Sequence, residues 1–101
     1  MITYSVTISV DEEIVTDWIQ WMKKIHIPEV MATGCFVSYK LQRLIDPEPE
    51  EGASTFNVQY DSPSLSSYED YRDNFAAGLQ KIHLDRYKDR FVALRTLLEV
   101  L

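Results

Sequence analysis

A chain of 101 residues with 46% hydrophobic and 26% charged residues is sized and balanced for one soluble domain with a packed core. Its formal net charge of -6 argues against a nucleic-acid partner, because phosphate backbones draw their affinity from an excess of Lys and Arg. The single cysteine, Cys35, excludes an internal disulfide framework and a zinc site built on cysteine pairs, and points to a reducing compartment. The opening MITYSVTISVDEE has no basic leader region, and no run of about 18 apolar residues occurs. A cytoplasmic protein with no membrane partner is expected.

Residues 2–10 alternate, with Ile2, Tyr4, Val6, Ile8 and Val10 on one side and Thr3, Ser5, Thr7 and Ser9 on the other, the period of a half-buried strand. Asp11, Glu12 and Glu13 then supply acids suited to a helix N-terminus. Ile14, Trp18, Trp21 and Ile25, flanked by Val15 and Met22, form the apolar stripe of that helix. Pro28 is expected to interrupt it by pushing Ile27 toward an extended backbone, with one more turn before Gly34. Cys35 to Ile45 reads as a second strand, with Val37, Tyr39, Leu41 and Ile45 facing one way and Phe36, Ser38, Lys40, Gln42 and Leu44 the other. The segment DPEPEEG over 46–52 cannot continue a ladder and reads as an exposed hairpin connection. Phe56, Val58 and Tyr60 alternate with Thr55, Asn57, Gln59 and Asp61 in a third strand. Ser64 is the N-cap of a second helix ending near Tyr87, with Leu65, Tyr68, Arg72, Phe75, Leu79 and Ile82 at helical spacing. Val92, Leu94, Leu98 and Val100 oppose Phe91, Ala93, Arg95, Leu97 and Glu99 in a fourth strand.

The order is βαββαβ, a ferredoxin-like α+β single domain over residues 1–101 in which two helices cover one face of a four-stranded antiparallel sheet. The alternation assigns Val92, Leu94 and Leu98 to the covered face, together with Ile2, Tyr4, Val6, Ile8, Val37, Tyr39, Leu41, Phe56, Val58 and Tyr60. The uncovered face is then Thr3, Ser5, Thr7, Phe36, Ser38, Lys40, Gln42, Thr55, Asn57, Gln59, Phe91, Ala93, Arg95 and Leu97. It carries few long charged side chains, so its expected partner is a second copy of the chain. On that face Lys40 and Arg95 converge with Asn57 and Gln59 as candidate ligand-binding residues for a small anion. A wet structural interface is the preferred alternative for the same residues.

His26 is the candidate acid or base, one turn after Met22 and close to Glu29 in sequence, although a histidine near a helix end also serves as a cap. His83 falls near the end of the second helix, where the same dipole argument for a cap applies. The two histidines show no metal-ligating spacing, and no cofactor motif is present. Cys35 reads as a small buried hydrophobe, and Trp18 and Trp21 as core in preference to an aromatic wall for a planar ligand, an ambiguity that Tyr68 and Tyr71 share in the second helix. Lys81, Arg86, Lys88 and Arg90 are interleaved with Asp85 and Asp89, as in a solvated helix end.

The runs WMKKIHIPEVMATGCF (21–36), FNVQY (56–60) and DRFVALRTLLEVL (89–101) together resemble a family of small bacterial proteins classed only as a domain of unknown function. The resemblance spans essentially the whole chain. It implies a ferredoxin-like domain of the dimeric α+β barrel type and transfers no activity. More remotely the architecture is similar to small cofactor-independent monooxygenases and related ligand-binding dimers, a likeness of fold that does not carry function. Two functions are therefore carried forward. The preferred one is a non-enzymatic homodimeric binding or structural module. The alternative is a small monooxygenase or isomerase using His26.

Overall fold

The computed structural model describes all of residues 1–101. Strand β1 (Ile2–Asp11) leads through a single 3-10 turn into helix α1 (Val15–Trp21), a π-helical turn (Met22–His26) and helix α2 (Ile27–Ala32). Strands β2 (Ser38–Arg43) and β3 (Ala53–Ser62) form the hairpin, helices α3 (Leu65–Asn74) and α4 (Ala76–Arg86) follow, and β4 (Phe91–Glu99) closes the sheet. The strand order is β2-β3-β1-β4, with every neighbouring pair antiparallel. This is the ferredoxin-like α+β fold expected from the alternation of strand and helix patterns.

The core lies between the helices and one sheet face. Trp18, Met22, Ile27 and Val30 from the first helical run meet Val10 and Val58 of the central strands there, all essentially inaccessible to solvent. Truncating a buried residue as large as Trp18 to alanine costs about 3–5 kcal/mol. Ser64 caps α3 as expected, its side chain accepting from the Ser67 backbone N–H, and Cys35 is buried.

Three local expectations are corrected. The helix does not stop at Pro28: Ile27 is helical, and its N–H reaches the Met22 carbonyl five residues back. The wider turn resets the hydrogen-bond ladder so that Pro28 falls in the first turn of α2, where the missing N–H costs little. The second helix is broken at Phe75, whose φ of -128 leaves the helical region. The break rotates the buried face to Tyr71, Ala76, His83 and Tyr87, while Leu65 and Ile82 are exposed.

The third correction concerns β4. Its pairing places Phe91 beside Val10, Ala93 beside Ile8, Arg95 beside Val6 and Leu97 beside Tyr4. Phe91, Ala93, Arg95 and Leu97 therefore share the helix-covered face, and Val92, Leu94 and Leu98 the open one. Apolar residues occupy both phases of FVALRTLLEV, so alternation alone does not choose the face. The observed phase packs Phe91 edge-on against His83, with centroids 4.2 Å apart, and Ala93 against the core, while Arg90 pairs with Asp11 at 2.7 Å and with Glu13 at 3.1 Å where β4 starts beside the end of β1. Phe36 also leaves the open face: it precedes β2 and packs on Tyr4, Tyr60 and Tyr71.

Candidate functional site: a pocket between helices and sheet

The π-helical turn ends on His26 and tilts its ring onto the Trp21 indole, with centroids 4.9 Å apart and planes 22° from parallel. From the other helical layer, α4 brings His83 to within 5.6 Å of His26, centroid to centroid. The Trp18 indole N–H donates to His83 Nε2 at 2.9 Å. That bond requires an unprotonated Nε2, so His83 is held with its proton on Nδ1. His26 Nδ1 is buried without a hydrogen-bond partner, and Glu29, its neighbour in sequence, is exposed. Burial lowers both imidazoles from 6.5 to about 4, His83 further through His26 and both through Arg95. Both rings are therefore neutral at pH 7.

The two histidines line a small cavity of about 30 Å³ with Tyr4, Tyr60 and Tyr71 from the sheet and α3, Gln80 from α4 and Arg95 from β4. In volume it takes about two waters, at roughly 10–15 Å³ each. Burial pushes the Tyr60 and Tyr71 phenols up, and no hydrogen bond to either offsets it. The Tyr4 phenol is also raised by burial, with the Arg95 charge pulling it part of the way back. No carboxylate lines this cavity, although the chain has 16 acidic residues. Arg95 is in none of the six ion pairs. The result is a partly open pocket, lined also by Val6, Ile8, Met22, Val30, Val58 and Ala93, whose polar groups are one exposed cation, two neutral imidazoles and phenolic hydroxyls able to hydrogen-bond an anion. The two histidines have no Cys, Asp or Glu beside them to complete a metal-ligating group of three.

The residues singled out from sequence separate into two places. His26 and Arg95 come together in the pocket, on opposite walls. Lys40, Asn57 and Gln59 lie on the open sheet face, where Lys40 stands opposite Gln59 and Gln42 opposite Asn57. Asn57 is committed there to the sheet, donating to Ser5 Oγ at 2.9 Å and Thr7 Oγ1 at 3.1 Å. The expected convergence of Arg95 with Lys40, Asn57 and Gln59 does not occur, for the reason of β4 phase already given. His83, Gln80 and Tyr71 were not singled out as pocket residues. Gln80 and His83, three apart on one helix, would have signalled a polar break in the buried stripe. Trp18 and Trp21 are core as expected, and both also serve the site by contacting a histidine.

The fold and this pocket define a ferredoxin-like α+β domain with a small cleft between its helical layer and its sheet. The whole chain, residues 1–101, matches the family described as Domain of unknown function (DUF4286), and the protein belongs to that family. No curated protein matches it in sequence. Among solved structures it is similar to HapK from Hahella chejuensis, with a TM-score of 0.69, 11% identity, and 100% of this chain and 93% of that one covered. It is similar to a putative antibiotic biosynthesis monooxygenase from Deinococcus radiodurans, with a TM-score of 0.67, 15% identity and the same coverage, 100% and 93%. A dimeric ferredoxin-like protein from an uncultured marine organism matches with a TM-score of 0.57 and 14% identity, covering 99% of this chain and 97% of that one. At these identities the likeness is one of fold. No helix of the chain is long and apolar enough to cross a membrane.

Proposed function

We propose that this protein is a homodimeric binding module that holds the anionic head of a small molecule in the helix–sheet pocket. The observation that carries it is Arg95, a cation with no carboxylate partner at a pocket that contains no acid. Around it His83 presents a fixed donor and Tyr60 and Tyr71 bring hydroxyls with no protein partner. The dimer is formed through the open sheet face, where Val92, Leu94 and Leu98 are all about half exposed or more along one edge and short polar side chains fill the centre. Two such faces related by a two-fold axis bury that strip against itself.

The test is a titration followed by two-dimensional NMR with benzoate and with benzamide, which has the same ring without the charge. Benzoate shifts the backbone resonances around Arg95, His26 and His83, and Arg95→Gln weakens it at least tenfold. Equal responses to the two probes would overturn the reading.

An enzymatic reading, a monooxygenase or isomerase using His26, is favoured by the buried unpartnered His26 Nδ1, which is free to accept a proton. Its driving force is weak. An imidazole lowered to about 4 takes a proton from an ordinary phenol, near pKa 10, only at about 8 kcal/mol uphill at equilibrium. An anion paired to Arg95 reduces that gap but must supply most of it. Binding is thus the function that the pocket's electrostatics support directly.

A further inference from the structure

We propose that the groove between α4 and β4 is the outer half of the same site and holds the apolar body of the ligand, which makes the ligand an amphipathic carboxylate. This rests on the head-group reading above. A chamber of about 30 Å³ admits a carboxylate head but not a ring, for which a cavity on the order of 150 Å³ is needed. The rest of any such molecule must lie elsewhere. The chamber shares Gln80, Ala93 and Arg95 with an open groove of about 450 Å³, whose remaining wall is Ala77, Lys81, Leu84 and Phe91. Gln80 and Arg95 are thus the doorway between the two, one from the helix and one from the strand.

The groove exists because of the β4 phase. The helical layer only partly covers β4, so Leu97 and Arg95 on the covered face stay exposed. Leu84 is half exposed on the opposite wall. The groove's volume of about 450 Å³ is in the range that small-molecule sites use. Its charges fit a single anion: Lys81 is already paired with Asp85 at 2.6 Å, no acid lines the groove, and Arg95 is the unpaired cation. A carboxylate placed at the doorway reaches Arg95 while its chain lies along Ala77, Leu84, Phe91 and Ala93.

Calorimetric titration of the whole protein with butanoate, octanoate and octanol tests this, because the first two share a head and the last two share a chain. A half-buried methylene gains roughly twofold in affinity, so octanoate is expected to bind at least tenfold tighter than butanoate. Leu84→Gln is expected to remove most of that gain and to weaken octanoate several-fold more than butanoate, and Arg95→Gln to weaken both acids. Equal affinity of butanoate and octanoate, with both lost in Arg95→Gln, would overturn the groove and leave the head-group site standing. Octanol binding as tightly as octanoate would instead overturn the head-group reading. No binding of any of the three would overturn both.

Discussion

Acid should destabilise this protein in a pH range where its carboxylates are still ionised. His83 is 6% exposed and lowered by burial from 6.5 to about 4, so the unfolded chain binds its proton before the folded one does. Stability is therefore complete above about pH 6.5, is lost as the pH falls toward 4, and levels off below that, where both states are protonated. Between pH 7 and pH 5 roughly 1.5 pH units of this window are crossed, which at 1.36 kcal/mol per unit is about 2 kcal/mol from His83. His26, also lowered by burial to about 4, adds to it. In a domain of this length that is a fall in Tm of about 8–16 °C. Thermal unfolding followed by circular dichroism at pH 7.0, 6.0 and 5.0 measures it, with His83→Gln as the control that removes the titration but keeps an acceptor for Trp18. The variant should lose the His83 share of the acid sensitivity, leaving that of His26. A Tm that is flat to within about 2 °C across this range, or a slope unchanged in the variant, would refute the assignment of a buried neutral His83.

Other consequences are open to simpler measurements. Trp18→Phe removes the indole N–H that His83 Nε2 accepts and leaves a buried acceptor unpaired, a loss of about 2–4 kcal/mol in chemical denaturation. Ser64→Ala deletes the α3 cap and should lower stability by about 1 kcal/mol with the folded spectrum unchanged. Leu94→Lys, on the open face opposite Thr7, should shift native mass spectra from dimer to monomer while the monomer's own unfolding changes by no more than about 0.5 kcal/mol. A dimer unaffected by this charge would place the interface elsewhere.

The sheet and its topology were legible because three strands alternate cleanly: with short polar residues on one face of β1, a slipped register would bury Thr3, Ser5 and Thr7 in the core. The strand that misled was β4, where both phases are apolar and the contacts that distinguish them, Phe91 on His83 and Ala93 on the core, are long-range and invisible to alternation. That single phase error moved Arg95 to the wrong side of the sheet and with it the candidate site. Pro28 misled in the opposite direction. A proline inside a helical pattern ordinarily ends it, and nothing local shows that a π-helical turn will absorb the lost hydrogen bond. His26 was legible as a candidate, but its companions His83 and Gln80 were masked by the helix break at Phe75, which changes the phase of the buried face partway along.

These irregularities fall around one cavity, and that bears on whether the cavity is incidental. The π-helical turn delivers His26, the break at Phe75 turns His83 and Gln80 inward, and the phase of β4 supplies Arg95. The π-helical turn and the break at Phe75 each depart from a regular helix, and sites that bind tend to be held at such a cost in stability. His26→Leu separates the alternatives. A buried unpartnered nitrogen costs about 1–3 kcal/mol, whereas the stacking on Trp21 that the variant loses is worth about 0.5–1.5 kcal/mol. The variant should therefore be more stable than the natural protein by about 1 kcal/mol at pH 7, and weaker in binding octanoate. Were His26 an ordinary core residue, the same substitution would destabilise the protein and leave binding untouched.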